Sequence, residues 1–205
     1  MITTEQVKAL RDATGISVMQ CKKALEAAGG DAAKALIILR KAGAEIAGKK
    51  SGRTLGAGAV SAYIHGNGNV GAMVELSCET DFVAKNEQFK ALAYDIAMHV
   101  AASNPVYLKA ADISEDDKAK AREVFEKDIK GLPAPAGGQA GKPAALVEKI
   151  MQGKLQAYFG EKTLLDQPFI KNPDLTVNDL IQSGIQKFGE KIEVARFERF
   201  SILGK

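Results

Sequence analysis

The chain has 205 residues, 46% hydrophobic and 26% charged, enough for one or two domains with a real core, and Gly or charge interrupts each apolar run before membrane-spanning length, so no transmembrane helix is expected. Its two cysteines, Cys21 and Cys78, are too few for a disulfide framework or a four-ligand zinc site, and the start Met-Ile-Thr-Thr-Glu lacks the basic and apolar regions of a secretory signal, so a reduced, cytoplasmic protein is expected. The net charge of +3 is uneven: residues 1–54 hold ten Lys/Arg against five Asp/Glu, a modest basic module that can meet nucleic acid or an acidic protein face but is more often a solvated surface; it lacks the interleaved aromatics that base stacking needs, so no direct nucleic-acid binding is expected.

Residues 3–42 predict three short helices. Thr3-Thr-Glu-Gln6 and Ser17-Val-Met-Gln20 match capping-box spacing, and Asp31 after Gly29-Gly30 is a third N-cap. Gly15, Gly29 and Gly43 stand where C-terminal caps are needed. Val7 and Leu10, then Cys21, Ala24 and Leu25, then Ala35, Leu36 and Leu39 have helical spacing and converge on one small core. A core of about forty residues is marginal alone, which favours a docking module. Ile16, Val18 and Met19 lie in the tight connection between the first two helices. They either staple and fill the core or form an exposed apolar contact patch. Both cysteines lie among apolar residues and read as small buried hydrophobes.

Residues 43–58 are Gly-rich and basic and read as a partly helical linker, dividing a module at 1–54 from a core at 55–205. Lys49, Lys50 and Arg53 sit outside any phosphate-loop pattern, so a solvated linker explains them. From Ala59 the period becomes that of strands. Val60–Ile64 and Val70–Leu76 flank the turn His65-Gly-Asn-Gly-Asn69 and predict a β-hairpin. The second strand then switches abruptly to a charged helix start, with Asp81 and Phe82 at the switch. A turn normally carries small polar residues, so this ring either plugs its own core or is held out for something else.

Phe89, Leu92, Ala93, Ile96, Ala97, Val100 and Ala101 form the stripe of a strong amphipathic helix, which Asn104-Pro105 ends. Ser114-Glu-Asp-Asp117 opens a charged, exposed helix. Residues 131–143, rich in Pro, Gly and Ala, read as a mobile loop, with Pro143 in the first turn of a helix through Ile150, Met151, Leu155, Tyr158 and Phe159. Thr176 caps a last helix with Leu180, Ile181 and Phe188, and Lys191–Leu203 is a strand whose phase break near Arg196 indicates a bulge. Hairpin and final strand together predict a three-stranded antiparallel sheet with helices on one face, an α+β core. The other face is left for a cover, and a second subunit is one way to supply it.

No catalytic constellation emerges. His65 and His99 stand at no nucleophile or metal spacing with Cys or carboxylates. His99 lies beside the apolar stripe and reads as structural. His65, in the hairpin turn, is either a turn residue or a binding group. The paired carboxylates Asp116-Asp117 and Glu75 with Glu79 are explained by a charged helix surface. Neither enzymatic activity, a cofactor nor a metal is expected.

Leu10-Arg-Asp-Ala-Thr-Gly-Ile-Ser-Val-Met-Gln-Cys-Lys-Lys-Ala-Leu25 and Glu75-Leu-Ser-Cys-Glu-Thr-Asp-Phe-Val-Ala-Lys85 resemble the two signature motifs of the bacterial elongation factor Ts family. The resemblance continues through Tyr63-Ile-His-Gly66, Asp95–Ala102, Gly141-Lys-Pro143, Lys149–Lys154, Leu165–Ile170 and Arg196–Phe200, and so covers nearly the whole chain. It departs at Ser77, where the family usually has Asn, and at Ser17-Val-Met-Gln20, where Gly-Met-Met-Asp is commoner.

The resemblance implies a guanine-nucleotide exchange factor that acts on the GDP-bound and nucleotide-free forms of elongation factor Tu. It implies an N-terminal three-helix module of ubiquitin-associated type that docks on the partner's G domain through Arg11, Ile16, Val18, Met19 and Lys23, with Leu10 in support. It further implies that Asp81 and Phe82, within Thr80-Asp81-Phe82-Val83, insert beside the Mg²⁺ and phosphate site of the GTPase, and that His65 reaches another domain of the partner. With one Thr-Asp-Phe segment and one His-Gly turn, the chain resembles the short form of the family, for which a homodimer is expected.

Overall fold

The computed structural model describes residues 2–131 and 144–202, so the loop expected at about 131–143 lies, apart from Gly131, outside the described residues. In chain order the elements are α1 (Thr4–Thr14), α2 (Val18–Ala27), α3 (Ala32–Lys50), β1 (Ala57–His65), β2 (Val70–Cys78), α4 (Asp81–Ala84), α5 (Glu87–Ser103), α6 (Glu115–Gly131), α7 (Ala144–Gly160), β3 (Pro168–Phe169), β4 (Asn172–Thr176), α8 (Val177–Phe188) and β5 (Ile192–Ser201). The architecture is α+β, divided into two compact units, Met1–Ser103 with Pro168–Lys205 and Asn104–Gln167.

In the first unit the three N-terminal helices form as their caps dictate. The Thr3 hydroxyl accepts from the Gln6 amide while the Gln6 side chain accepts from the Thr3 amide, a reciprocal capping box. The Ser17 hydroxyl and the Asp31 carboxylate accept from the Gln20 and Lys34 amides. The Lys34 amide bond holds the Asp31 carboxyl below the usual carboxylate range. Gly15 ends α1 in the left-handed region (φ 69°), where a side chain is strained. Val7, Leu10, Ile16, Cys21, Ala24, Leu25, Ala35 and Leu39 close the small core.

One expectation about the glycines needs correction. Gly43 caps nothing: α3 continues through it to Lys50, into the stretch read as linker. Gly43 is buried against α8, where an added Cβ would lie 3.4 Å from Gln186 Oε1 and 3.6 Å from the Gln182 carbonyl oxygen, so its smallness serves close helix approach. The exit from α2 uses two glycines, with the Gly30 amide donating to the Leu25 carbonyl at 2.9 Å.

β1, β2 and β5 form an antiparallel sheet in the order β1-β2-β5. The stripe of α5 covers one face: Phe89, Ala93, Ile96, Ala97 and Val100 are fully buried, as are Leu76 and Cys78 of β2, with Val74, Ala72 and Ile192 nearly so. Register shifts between Glu75 (opposite Arg196) and Leu76 (opposite Val194), which leaves Ala195 as the extra residue of a bulge. Arg199 comes to the inner side and donates to the Ala101 carbonyl near the C-terminus of α5. His99 is buried, and its Nδ1 accepts from the Ile170 amide at 3.3 Å, so it organises the short β3–β4 hairpin. That hairpin is too brief to give a strand period.

In the second unit α6 and α7 pack as a helical pair around Ile113, Ala121 and Phe159, with Tyr107, Phe125 and Leu155 at the margin. The Ser114 hydroxyl accepts from the Asp117 amide at the start of α6.

Gly58 faces Ser77 across the hairpin, and an added Cβ would sit 2.5 Å from the Leu76 carbonyl oxygen, which is backbone and cannot yield. Thermal melts of Gly58→Ala are expected to show a loss of about 1–3 kcal/mol. Gly153 lies exposed within α7 with open space around it, so Gly153→Ala is expected to gain about 0.5–1 kcal/mol in the same assay.

Candidate partner-binding site

The end of β2 leads through Glu79 and Thr80 into α4, a single helical turn. The apolar residues of this turn divide sharply. Val83 and Ala84 are buried, at 4% and 9% exposure, whereas Phe82 is 84% exposed. The ring therefore does not plug the chain's own core. Asp81 is exposed beside it, in a loose i,i+4 ion pair with Lys85 at 3.4 Å. Such a pair at the surface contributes little to stability.

Two carboxylates hold the turn in place. Glu190 Oε2 accepts from the Glu79 and Thr80 amides at 3.1 and 3.0 Å, and its Oε1 accepts from the Thr80 hydroxyl at 2.5 Å. In the reverse direction Glu79 accepts from the Lys191 amide at 2.6 Å and from Arg53 Nη1 at 3.0 and 3.2 Å. The two strand ends thus clasp each other reciprocally. Charge-assisted bonds of this kind are stronger and more directional than neutral ones. The Lys191 amide, followed by Arg53, keeps the Glu79 carboxyl below the usual range. The Thr80 carbonyl is used as well, accepting from the Cys78 thiol at 3.3 Å and the Ala84 amide at 3.1 Å. Burial and the Glu190 charge push the Cys78 thiol up, which makes it an inert core group.

The linker cations belong to the same corner. Lys50 Nζ donates to the Gly189 carbonyl at 2.6 Å, and Lys191 Nζ donates to the Ser51 carbonyl at 2.7 Å. Glu75 and Glu79, taken above for a helix surface, stand on and after a strand, and Glu75 pairs with Arg196 at 2.7 Å.

On the N-terminal module, Val18 and Met19 are exposed at 51% and 64%, at the start of α2. Arg11 and Lys23 are exposed as well. Ile16 departs from the expectation of a contact residue: at 3% exposure it is core, because the chain turns inward after Gly15 and its side chain fills the space between the helices. Leu10 is core too. His65 is exposed at the far end of β1, its Nδ1 2.9 Å from the Tyr63 hydroxyl, and the Tyr63 ring stands edge-on to Tyr94 at 5.7 Å. The structure therefore brings Thr80–Val83 together with Glu79 and Glu190, and sets His65 at the opposite end of the hairpin. Reading the sequence missed Glu190. Its one local sign is its place directly after Gly189, the left-handed cap of α8.

Because its carboxyl is held low in the folded chain, Glu79 contributes stability that is full above the ordinary carboxylate range and is lost as pH falls through the depressed value. Glu79→Gln is expected to melt below the wild-type chain at neutral pH, and the gap is expected to close as pH is lowered beneath about 4. Thermal scans across pH check this.

A family model described as elongation factor TS matches residues 32–202. Elongation factor Ts of Carboxydothermus hydrogenoformans is 50% identical over 202 residues, spanning 98% of this chain and 89% of the relative. The proteins of the same name from Thermodesulfovibrio yellowstonii and Moorella thermoacetica are each 48% identical, spanning 98% of this chain and 96% of theirs. With a match of this extent, which includes the clasped turn, the chain belongs to the elongation factor Ts family.

Proposed function

We propose that the chain is a guanine-nucleotide exchange factor for elongation factor Tu, acting in translation elongation in the cytoplasm by insertion and not by chemistry of its own. The observation that carries the reading is Phe82, 84% exposed on a turn that is otherwise anchored. A large ring held in water loses the favourable free energy of burial, about 1.5–3 kcal/mol, until a partner covers it. Next to the Mg²⁺ and phosphate site of the GTPase, such a wedge displaces the elements that carry the nucleotide's ligands, and the Asp81 carboxylate disturbs the polar network around the metal. Because binding is reciprocal, a factor that prefers the nucleotide-free partner weakens GDP by the same factor.

Docking falls to the three-helix module of residues 1–54, read as ubiquitin-associated in type, with Val18 and Met19 as apolar contacts and Arg11 and Lys23 as flanking cations. Ile16 and Leu10 support that surface from inside. From the β1–β2 hairpin of the first unit, His65 reaches a further domain of the partner. Stopped-flow release of labelled GDP from elongation factor Tu tests the scheme. Wild-type chain is expected to accelerate release, and Phe82→Ala to lose most of the acceleration with an unchanged melting temperature. Met19→Ala is expected to raise the half-saturating concentration instead. Tight binding without acceleration would make the chain an adaptor, and steeply salt-dependent RNA binding with no effect on GDP would make it a nucleic-acid accessory.

The open face of the sheet supports a homodimer. Val60, Ile64, Met73 and Phe200 are 63%, 66%, 47% and 66% exposed there, around the Glu75–Arg196 pair. A contiguous apolar patch of this kind on a sheet face calls for a cover. Phe200→Lys is expected to shift the sedimentation coefficient to that of a monomer; an unchanged dimer would remove this face from consideration.

A further inference from the structure

Thr80 is pinned at every polar atom. Its amide and hydroxyl donate to the two oxygens of Glu190, and its carbonyl accepts from Cys78 and from the first turn of α4. The next two residues are Asp81, exposed and in a weak pair with Lys85, and Phe82, 84% exposed. The ring's direction is thus set on one side by the buried Val83 and Ala84 and on the other by Thr80, which Glu190 holds. Thr80 stands at the N-cap of α4, yet its hydroxyl makes no capping bond, being committed to Glu190 instead. Glu190 is itself fixed from behind. It follows Gly189, left-handed at φ 71°, whose carbonyl is bound by Lys50.

From this geometry we infer that Glu190 is a positioning residue for exchange: its carboxylate preorganises the Thr80-Asp81-Phe82 tip so that the ring enters the partner without first being ordered. Holding a group in its productive pose removes an entropic cost that would otherwise fall on the insertion step. Glu190 touches neither nucleotide nor metal in this scheme. Its effect thus falls on the rate of GDP release from the complex, and not on docking through Val18 and Met19. The inference rests on the exchange reading above.

The test combines GDP-release kinetics with a direct probe of the tip. Glu190→Ala removes all three bonds; Glu190→Asp keeps the charge but falls one methylene short of Thr80. Glu190→Gln keeps the length and an oxygen for the two amides. Glu190→Ala and Glu190→Asp are expected to lower the saturating release rate by roughly tenfold to a hundredfold, with the half-saturating concentration changed by less than about threefold. Glu190→Gln is expected to recover most of the rate. The chain contains four Tyr but no Trp, so Phe82→Trp places a single, selectively excited tryptophan at the tip. Its anisotropy should decay faster when Glu190→Ala is added. Folded Glu190→Asp with an undiminished saturating rate overturns the inference, as does an unchanged anisotropy decay. If the wild-type chain itself fails to accelerate release, the exchange reading falls. The anisotropy then still judges whether Glu190 holds the tip.

Discussion

The burial of one helix stripe against one sheet face governs the rest of the molecule's first unit. Once Phe89, Ala93, Ile96, Ala97 and Val100 of α5 lie on the sheet, the two-residue period of the strands leaves no choice about the other face. Ala72, Val74 and Leu76 go inward, and Met73 and Glu75 go outward. The same packing fixes where β2 ends, and so where the chain must turn into α4. Val83 and Ala84 complete the buried surface at that point, and Phe82, between two chain positions already committed, is left in water. The exposure of the ring follows from the packing of its neighbours.

What the sequence disclosed and what it concealed divide along the range of the interactions. The stripe Phe89–Ala101, the capping boxes at Thr3 and Thr176, and the hairpin around His65–Asn69 are written in adjacent residues, and each is found. The bulge was legible as a break in alternation, one residue from where it lies at Ala195. Gly43 was misread because a glycine looks the same in sequence whether it ends a helix or lets another helix approach. Ile16 could not be assigned to core or surface without knowing how sharply the chain turns after Gly15. Glu190 meets Thr80 across 110 positions; no local pattern reports a bond of that span.

The candidate site itself was half legible. The aromatic at a strand-to-helix switch marked the position of the tip, and the family motif supplied its meaning. The means by which the tip is held was not written there, because it consists of backbone amides answering two carboxylates from another part of the chain. Basic residues that looked like free linker charge, Lys50 and Arg53, turn out to be spent on the same corner. Local charge counts therefore overstate what the N-terminal portion has to offer an acidic partner.

The hairpin register has a metric consequence. Cys78, next to the tip, pairs with Ala57, and His65 pairs with Val70, so the tip and the histidine stand at opposite ends of a nine-residue ladder. At a rise of about 3.3 Å per residue the ladder between them is roughly 26 Å long. The sheet that separates them is stiffened by α5 on one side and by β5 along its edge. Such an object works as a caliper with its jaws locked. A partner that accepts both ends must present receiving points at that one spacing, and one whose domains rotate will be held in the arrangement that matches.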